Sequence, residues 1–418
     1  SLWALGQLKH KDAKLLAALY ADESAELRAQ TARWSGELRF DPDNLIRTLL
    51  ADESPRVRLH AAIACGKLGS KDAVDALCAS LEQADNELPV LRHAGVVGLA
   101  GTAIASELQK LAKHPSEAVR IAAVSALRRQ RATRQLTEFL QDESRQVRSD
   151  AVLAIYDEAT PETFGKHPEI LEQLALLLAA NQPTPVNVRA IAANRRLGTD
   201  KAARRIADLL SSPQLDSTTQ VEALYALQSW PDASMLDPVD GRYFPVTQGS
   251  RAALRNAIGS DVWALTGSED DKISQLAIAV LERIQPTAAE QRRVLQTVLN
   301  ENQRVSIRVG WLDWLQNSDR EVFAAAGTKL LSSESPIVRA TAAAKLRHAS
   351  LADEAVETYL SQTLEKSRHP VELQRAIELV PTMSSKVSVV NHLLDQLVAG
   401  KISPEVKLEV LEVAAICA

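Results

Sequence analysis

Glycine and proline are scarce in this chain of 418 residues, sixteen and seventeen of them, about 8% together against roughly 12% in an average protein. Aromatic residues reach only 4%. A β-sandwich or barrel of this length needs more turn residues and more Tyr, Phe and Val, so an all-β fold is excluded. Positive charge is not in excess either: 48 Lys and Arg face 53 Asp and Glu, a net charge of −5. No global field draws phosphate backbones or anionic membranes, and nucleic acid is not an expected main partner. No run of about 18 apolar residues is present, and the first residues lack a basic stretch followed by a hydrophobic one, so no membrane insertion by this segment is expected. The three cysteines, Cys65, Cys78 and Cys417, make neither a metal-spaced pair nor a haem-attachment motif. They read as small apolar residues packed between helices.

What the chain does have is repetition. Ala21-Asp22-Glu23-Ser24-Ala25-Glu26-Leu27-Arg28 returns as Ala51-Asp52-Glu53-Ser54-Pro55-Arg56-Val57-Arg58 and as Gln141-Asp142-Glu143-Ser144-Arg145-Gln146-Val147-Arg148. Looser copies end at Leu91-Arg92, Val119-Arg120, Val188-Arg189 and Val338-Arg339, and Pro336, Pro370 and Pro404 carry the same rhythm farther on. A period of about 30 residues therefore runs through the chain. After each turn, runs such as Val57, Ala61, Ala64 and Leu68 place small and aliphatic residues on one helical face. Ser54-Pro55, Ser335-Pro336 and Ser403-Pro404 set a hydroxyl at the N-cap and a proline at the first helical position. Gly69 fits a helix end, and Lys71-Asp72-Ala73-Val74 opens the next helix. Each unit is thus two helices whose alanine-rich face is completed only by the next pair. The expected fold class is all-α, an α-solenoid of helix pairs in which residues 1–418 form one array.

The turn with Asp, the Val-Arg step and the Ala/Leu run ending near Leu-Gly resemble HEAT repeats, of the short type also found in phycobilisome-lyase-like proteins. The resemblance implies a ladder of Asp and Arg between successive repeats, falling on Asp22 with Arg28, Asp52 with Arg58 and Asp142 with Arg148. Arg120, Arg189 and Arg339 follow His114, Pro183 and Ser333 instead of Asp, so interruptions of the ladder are expected there.

Two segments exceed the period, near residues 159–168 and 229–250. The second contains Trp230-Pro231 and Asp237-Pro238-Val239-Asp240-Gly241-Arg242-Tyr243-Phe244-Pro245. Met235, Leu236, Tyr243 and Phe244 give it apolar surface that a plain spacer lacks, which makes it a candidate docking element. This insert and Leu91-Arg92-His93 are similar to the helical region of planctomycete-type proteins that join a sugar-dehydrogenase-like propeller, HEAT repeats and a c-type haem domain. That resemblance implies an extracytoplasmic, redox-linked multidomain protein. Ser1 to Leu8 reads as the second helix of a repeat, and Val406 to Cys417 ends inside an apolar helix, so a segment of a larger protein is expected.

Catalytic signatures are sparse. None of the eight histidines precedes glutamate, which removes the His-Glu pairs of di-iron helical-repeat hydroxylases, and no Gly-rich phosphate loop or Gly-x-Ser-x-Gly elbow is present. Arg128, Arg129, Arg131 and Arg134 form a candidate patch for an anion or partner, weighed against a solvated turn whose cations offset a helix dipole. Trp311 and Trp314 are three apart, a spacing for core packing before a stacking platform. The expectation is a non-catalytic scaffold for protein or interdomain interaction, with no catalytic residue, cofactor or metal. The alternative is a HEAT-type enzyme acting on DNA, like alkylpurine glycosylases, or on a tetrapyrrole, like phycobilin lyases.

Overall fold

The computed structural model describes residues 2–417. They form helices joined by short turns, with a single isolated β-bridge between Leu236 and Tyr243. The chain is an all-α solenoid of HEAT-like helix pairs. Packing divides it into two compact units, one of residues 1–197 with 234–247, the other of 198–233 with 248–418.

In the first unit, six helices stack in chain order as one row: α1 (Ala25–Leu38), α2 (Pro55–Leu68), α3 (Pro89–Thr102), α4 (Glu117–Arg129), α5 (Arg145–Glu158) and α6 (Thr184–Leu197). A shorter helix before each one in the chain packs against it and makes the second layer, for example Val74–Ala84 under α3. The second unit repeats the row with α7 (Ser217–Gln228), α8 (Asp271–Leu281), α9 (Val305–Ser318), α10 (Pro336–His348), α11 (Pro370–Leu379) and α12 (Lys407–Cys417), the helices before α11 and α12 being the longer of their pairs. Small side chains explain the close stacking. Ala61, Ala64, Cys65, Ala122, Ala123 and Ala126 are buried on the inner sides of α2 and α4. Burial pushes the thiols of Cys65 and Cys78 up to about 12 and 11, as expected of packing residues rather than reactive ones.

The repeated turn has a mechanical cause. In Asp-Glu-Ser the aspartate Oδ1 accepts the N–H of the serine two residues on, at 2.8 Å for Asp22, 2.9 Å for Asp52 and 2.8 Å for Asp142, which folds the chain back into the next helix. Ser24, Ser144 and Ser335 then cap α1, α5 and α10 with their hydroxyls, whereas Ser54 and Ser403 make no side-chain cap and leave the start to the proline behind them. Gly69 closes α2 in the left-handed conformation, φ 68°.

Candidate interaction site

Arg28, Arg58, Arg120, Arg148 and Arg339 are each the fourth residue of their row helix, which points them back along the preceding turn. Nη1 donates to two carbonyls there: Asp22 and Glu23 for Arg28, Asp52 and Glu53 for Arg58, His114 and Pro115 for Arg120, Asp142 and Glu143 for Arg148, Ser333 and Glu334 for Arg339. The other edge of the guanidinium reaches forward. Arg28 binds Asp52 of the next repeat at 2.7 and 2.9 Å, Arg120 binds Asp142 at 2.8 and 3.1 Å, and Arg339 binds Glu372 at 2.7 and 2.9 Å. Each rung therefore joins an arginine to the carboxylate that follows it.

This corrects the pairing expected from the sequence. Arg58 holds only the backbone of Asp52, and Arg148 only that of Asp142, because those carboxylates face the preceding arginine. Asn86 stands where the next aspartate would be, and Arg58 Nε and Asn86 Oδ1 are both buried without a hydrogen bond. His114 and Ser333 do not break the rungs at Arg120 and Arg339, since the partner comes from the following repeat. Arg189 instead pairs with Asp157 on α5 at 2.9 Å. Arg308 stands at the same place in α9 and the sequence reading missed it; it is 1% exposed and, unlike the rungs, clasps a carboxylate of its own preceding turn, Glu301, at 2.6 and 2.8 Å. Its turn, Glu301-Asn302-Gln303-Arg304, lacks both the Asp-Glu-Ser signature and a proline; the Ile307-Arg308 step was the available signal.

Residues 234–247 form a hairpin in the first unit. Asp237 N–H donates to the Arg242 carbonyl at 2.8 Å and Phe244 N–H to that of Met235 at 2.7 Å, while Asp240 and Gly241, φ 72°, make the turn. Asp237 is the keystone. Its Oδ1 accepts the N–H groups of Val239 and Asp240 at 2.8 and 3.3 Å, and its Oδ2 takes the Tyr156 hydroxyl at 2.6 Å and the Arg196 guanidinium. Tyr156 on α5 and Arg196 on α6 are both buried, and burial pushes the Tyr156 phenol well above its ordinary range. Arg196 lies between rings, 3.5 Å from the Phe244 centroid, 4.5 Å from Tyr156 and 5.6 Å from Phe164. Phe164 comes from the other over-length segment and meets Phe244 edge to face at 5.5 Å.

The four expected docking residues thus divide. Phe244 is buried, held by Arg196 and Phe164, and belongs to the fastening rather than to the surface. Met235, Leu236 and Tyr243 are 47%, 60% and 64% exposed and adjoin one another: Leu236 and Tyr243 are bridge partners, and the Tyr243 hydroxyl donates to Met235 Sδ at 3.4 Å.

The arginine patch is exposed, but Arg128 is occupied by Glu158 at 3.1 Å and Asp157 at 3.6 Å. On the same row Arg56 pairs with Glu26 and Lys67 with Glu37, so exposed cations of α2 meet carboxylates of α1 as those of α4 meet carboxylates of α5. Trp311 and Trp314 are core residues at 2% and 3% exposure, Trp311 stacked on Trp263 at 5.4 Å. Among the described residues no group of three or more His, Cys, Asp or Glu is placed to hold a metal ion, and no helix is long and apolar enough to cross a membrane.

Residues 13–100 match a family model of HEAT repeats, which bears on the helical-repeat part of the resemblances drawn from the sequence. No curated protein matches the chain significantly. Among solved structures, the complex of CpcE and CpcF of phycocyanin lyase from Nostoc sp. PCC7120 is similar at 22% identity over 53% of this chain and 88% of that one, with a TM-score of 0.27. Kap121p bound to Pho4p is similar at 13% identity over 96% of this chain and 52% of that one, TM-score 0.49. Kap121p bound to RanGTP is similar at 13% identity over 99% and 53%, TM-score 0.47. The chain spans about half the length of these Kap121p chains.

Proposed function

We propose that this chain is a non-catalytic scaffold for protein interaction and that the hairpin 234–247 is its docking element. The observation that carries the reading is the division of labour in the hairpin. Asp237 and Phe244 are sunk among Tyr156, Phe164 and Arg196, while Met235, Leu236 and Tyr243 stand in solvent on a backbone that is already fixed. Apolar side chains presented with little conformational freedom left to lose are what an interface core uses. Cations of α2 and α4 already paired with carboxylates of α1 and α5 support a protein partner over a polyanion. If the array belongs to a dehydrogenase and c-type haem multidomain protein, as the insert's sequence suggests, a neighbouring domain of that chain is the partner.

Photo-crosslinking tests this. A benzophenone amino acid at Leu236 or Tyr243, with exposed Glu162 as the control position, is expected to trap one discrete polypeptide or domain at the hairpin, and Met235→Ser is expected to weaken it. Equal, scattered adducts from hairpin and control would refute the docking role.

A further inference from the structure

On the exposed side of α3, α4 and α5 lies a pocket of about 300 Å³, remote in sequence from the hairpin. Its rim holds Arg92, at the ladder position of α3, and this arginine departs from the others: it makes no hydrogen bond and no ion pair with any described residue. The turn before it differs as well: Asp85 and Asn86 are left-handed there, φ 38° and 61°, and none of its carbonyls accepts from Arg92 as those of the other turns do from Arg28, Arg58, Arg120, Arg148 and Arg339. Arg92 therefore turns its fork to the pocket. Opposite is Asp150, half-buried, one oxygen taken by Gln146 Nε2 at 2.9 Å. Burial raises the Asp150 carboxyl above its ordinary value, and it feels the charges of Arg92 and Arg128. Arg128 is already committed to Glu158 and Asp157, which leaves Arg92 as the unpaired cation. The floor is apolar, from Val124 and Leu153.

One free guanidinium fork, one carboxylate acceptor beside it and an aliphatic floor, in a volume that holds a single residue, define a ligand with three matching parts. We propose that the pocket binds the C-terminal residue of a partner polypeptide, its α-carboxylate on Arg92, its backbone N–H on Asp150 and a small aliphatic side chain on Val124 and Leu153. The choice of a polypeptide rests on the scaffold reading; the carboxylate, the N–H donor and the apolar side chain rest on the pocket alone.

The test is titration of the full chain with a labelled pentapeptide ending in leucine, followed by fluorescence anisotropy. Saturable binding is expected, with a roughly tenfold or larger rise in Kd when the C-terminus is amidated and a similar rise for Arg92→Met. Because Arg92 holds no structural bond, the melting temperature of that variant is expected to be unchanged, so a loss of binding is not a loss of fold. Asp150→Asn, which keeps an acceptor without the charge, is expected to weaken binding less. Equal affinity for the amidated peptide, full binding by Arg92→Met, or no saturation at millimolar peptide would overturn the proposal. So would free leucine competing as well as the peptide, which would make this an amino-acid pocket, or an amidated peptide with an internal glutamate binding as well as the free acid. Crosslinks at Tyr243 report on the scaffold reading separately.

Discussion

At the scale of single residues the ladder arginines are not equivalent, although the sequence writes them alike. Arg120 and Asp142 are 5% and 3% exposed at the side chain, so Arg120→Met strands a buried carboxylate and is expected to cost about 3 kcal/mol in denaturant titration. Arg58→Met removes only hydrogen bonds to two carbonyls and is expected to cost about 1–2 kcal/mol. Equal losses would mean that the forward rungs contribute nothing. Acid offers a second check. Burial works to raise the Asp52 carboxyl, but the bonds from Arg28 and from the Ser54 N–H outweigh it and hold the group below 3.8; Glu372 is likewise held below 4.5 against burial by Arg339, Ser367 and Tyr359. A lowered folded-state pKa means that the native state binds fewer protons than the unfolded chain. The stabilisation is therefore complete above the ordinary carboxylate range and fades as pH falls through it. The stability difference between the native sequence and Asp52→Asn is expected to shrink between about pH 5 and pH 3; a constant difference across that window would count against the rung.

Elements add what no residue shows alone. α2 and α3 touch through glycines: a Cβ on Gly66 would stand 2.5 Å from the Val97 carbonyl oxygen, and one on Gly101 2.2 Å from that of Gly66. Gly101→Ala must push two backbones apart and is expected to lower stability by about 1–3 kcal/mol, read as a lower denaturation midpoint with an unchanged slope. The helices themselves were legible in the sequence, because alanine spacing, the Asp-Glu-Ser turn and the Val-Arg step are local features with local causes. The hairpin's fastening was not. Tyr156 and Asp237 are 81 positions apart and Arg196 and Asp237 are 41 apart, so no periodicity brings them together. Composition marked Phe244 as apolar surface alongside Tyr243, while strand alternation sends these neighbours to opposite faces. Arg92 was visible as a repeat arginine, yet its place outside the ladder was not. Asp237→Ala leaves Arg196 buried without its carboxylate and is expected to cost about 3–5 kcal/mol, where Tyr243→Ser costs almost nothing.

For the whole molecule, stability is assembled from neighbour contacts. Within the first unit each row helix packs on its neighbours in the row, so a chain cut after Glu158 is expected to keep helical circular dichroism in proportion to its length, at a lower midpoint because α5 loses the cover over Val152, Ile155 and Tyr156. Loss of all helix would contradict a one-dimensional array. The hairpin modifies that picture, since residues 234–247 belong to the first unit although the chain on either side of them belongs to the second. Its flanks are closed independently: the Gln248 side chain bonds both backbone groups of Ala233 at 2.8 and 3.0 Å, and the Gly249 N–H meets the Trp230 carbonyl at 3.2 Å. If the clasp of Asp237 and Phe244 on Tyr156, Phe164 and Arg196 stabilises the first unit, the covalent connection is dispensable to it. A fragment of residues 1–197 is then expected to melt at a higher temperature when a synthetic 234–247 peptide is added, the shift growing with the logarithm of peptide concentration. An Asp237→Asn, Phe244→Ala peptide is expected to have no such effect. A midpoint that stays put at millimolar native peptide would show that the hairpin merely covers this surface and contributes little to holding it together.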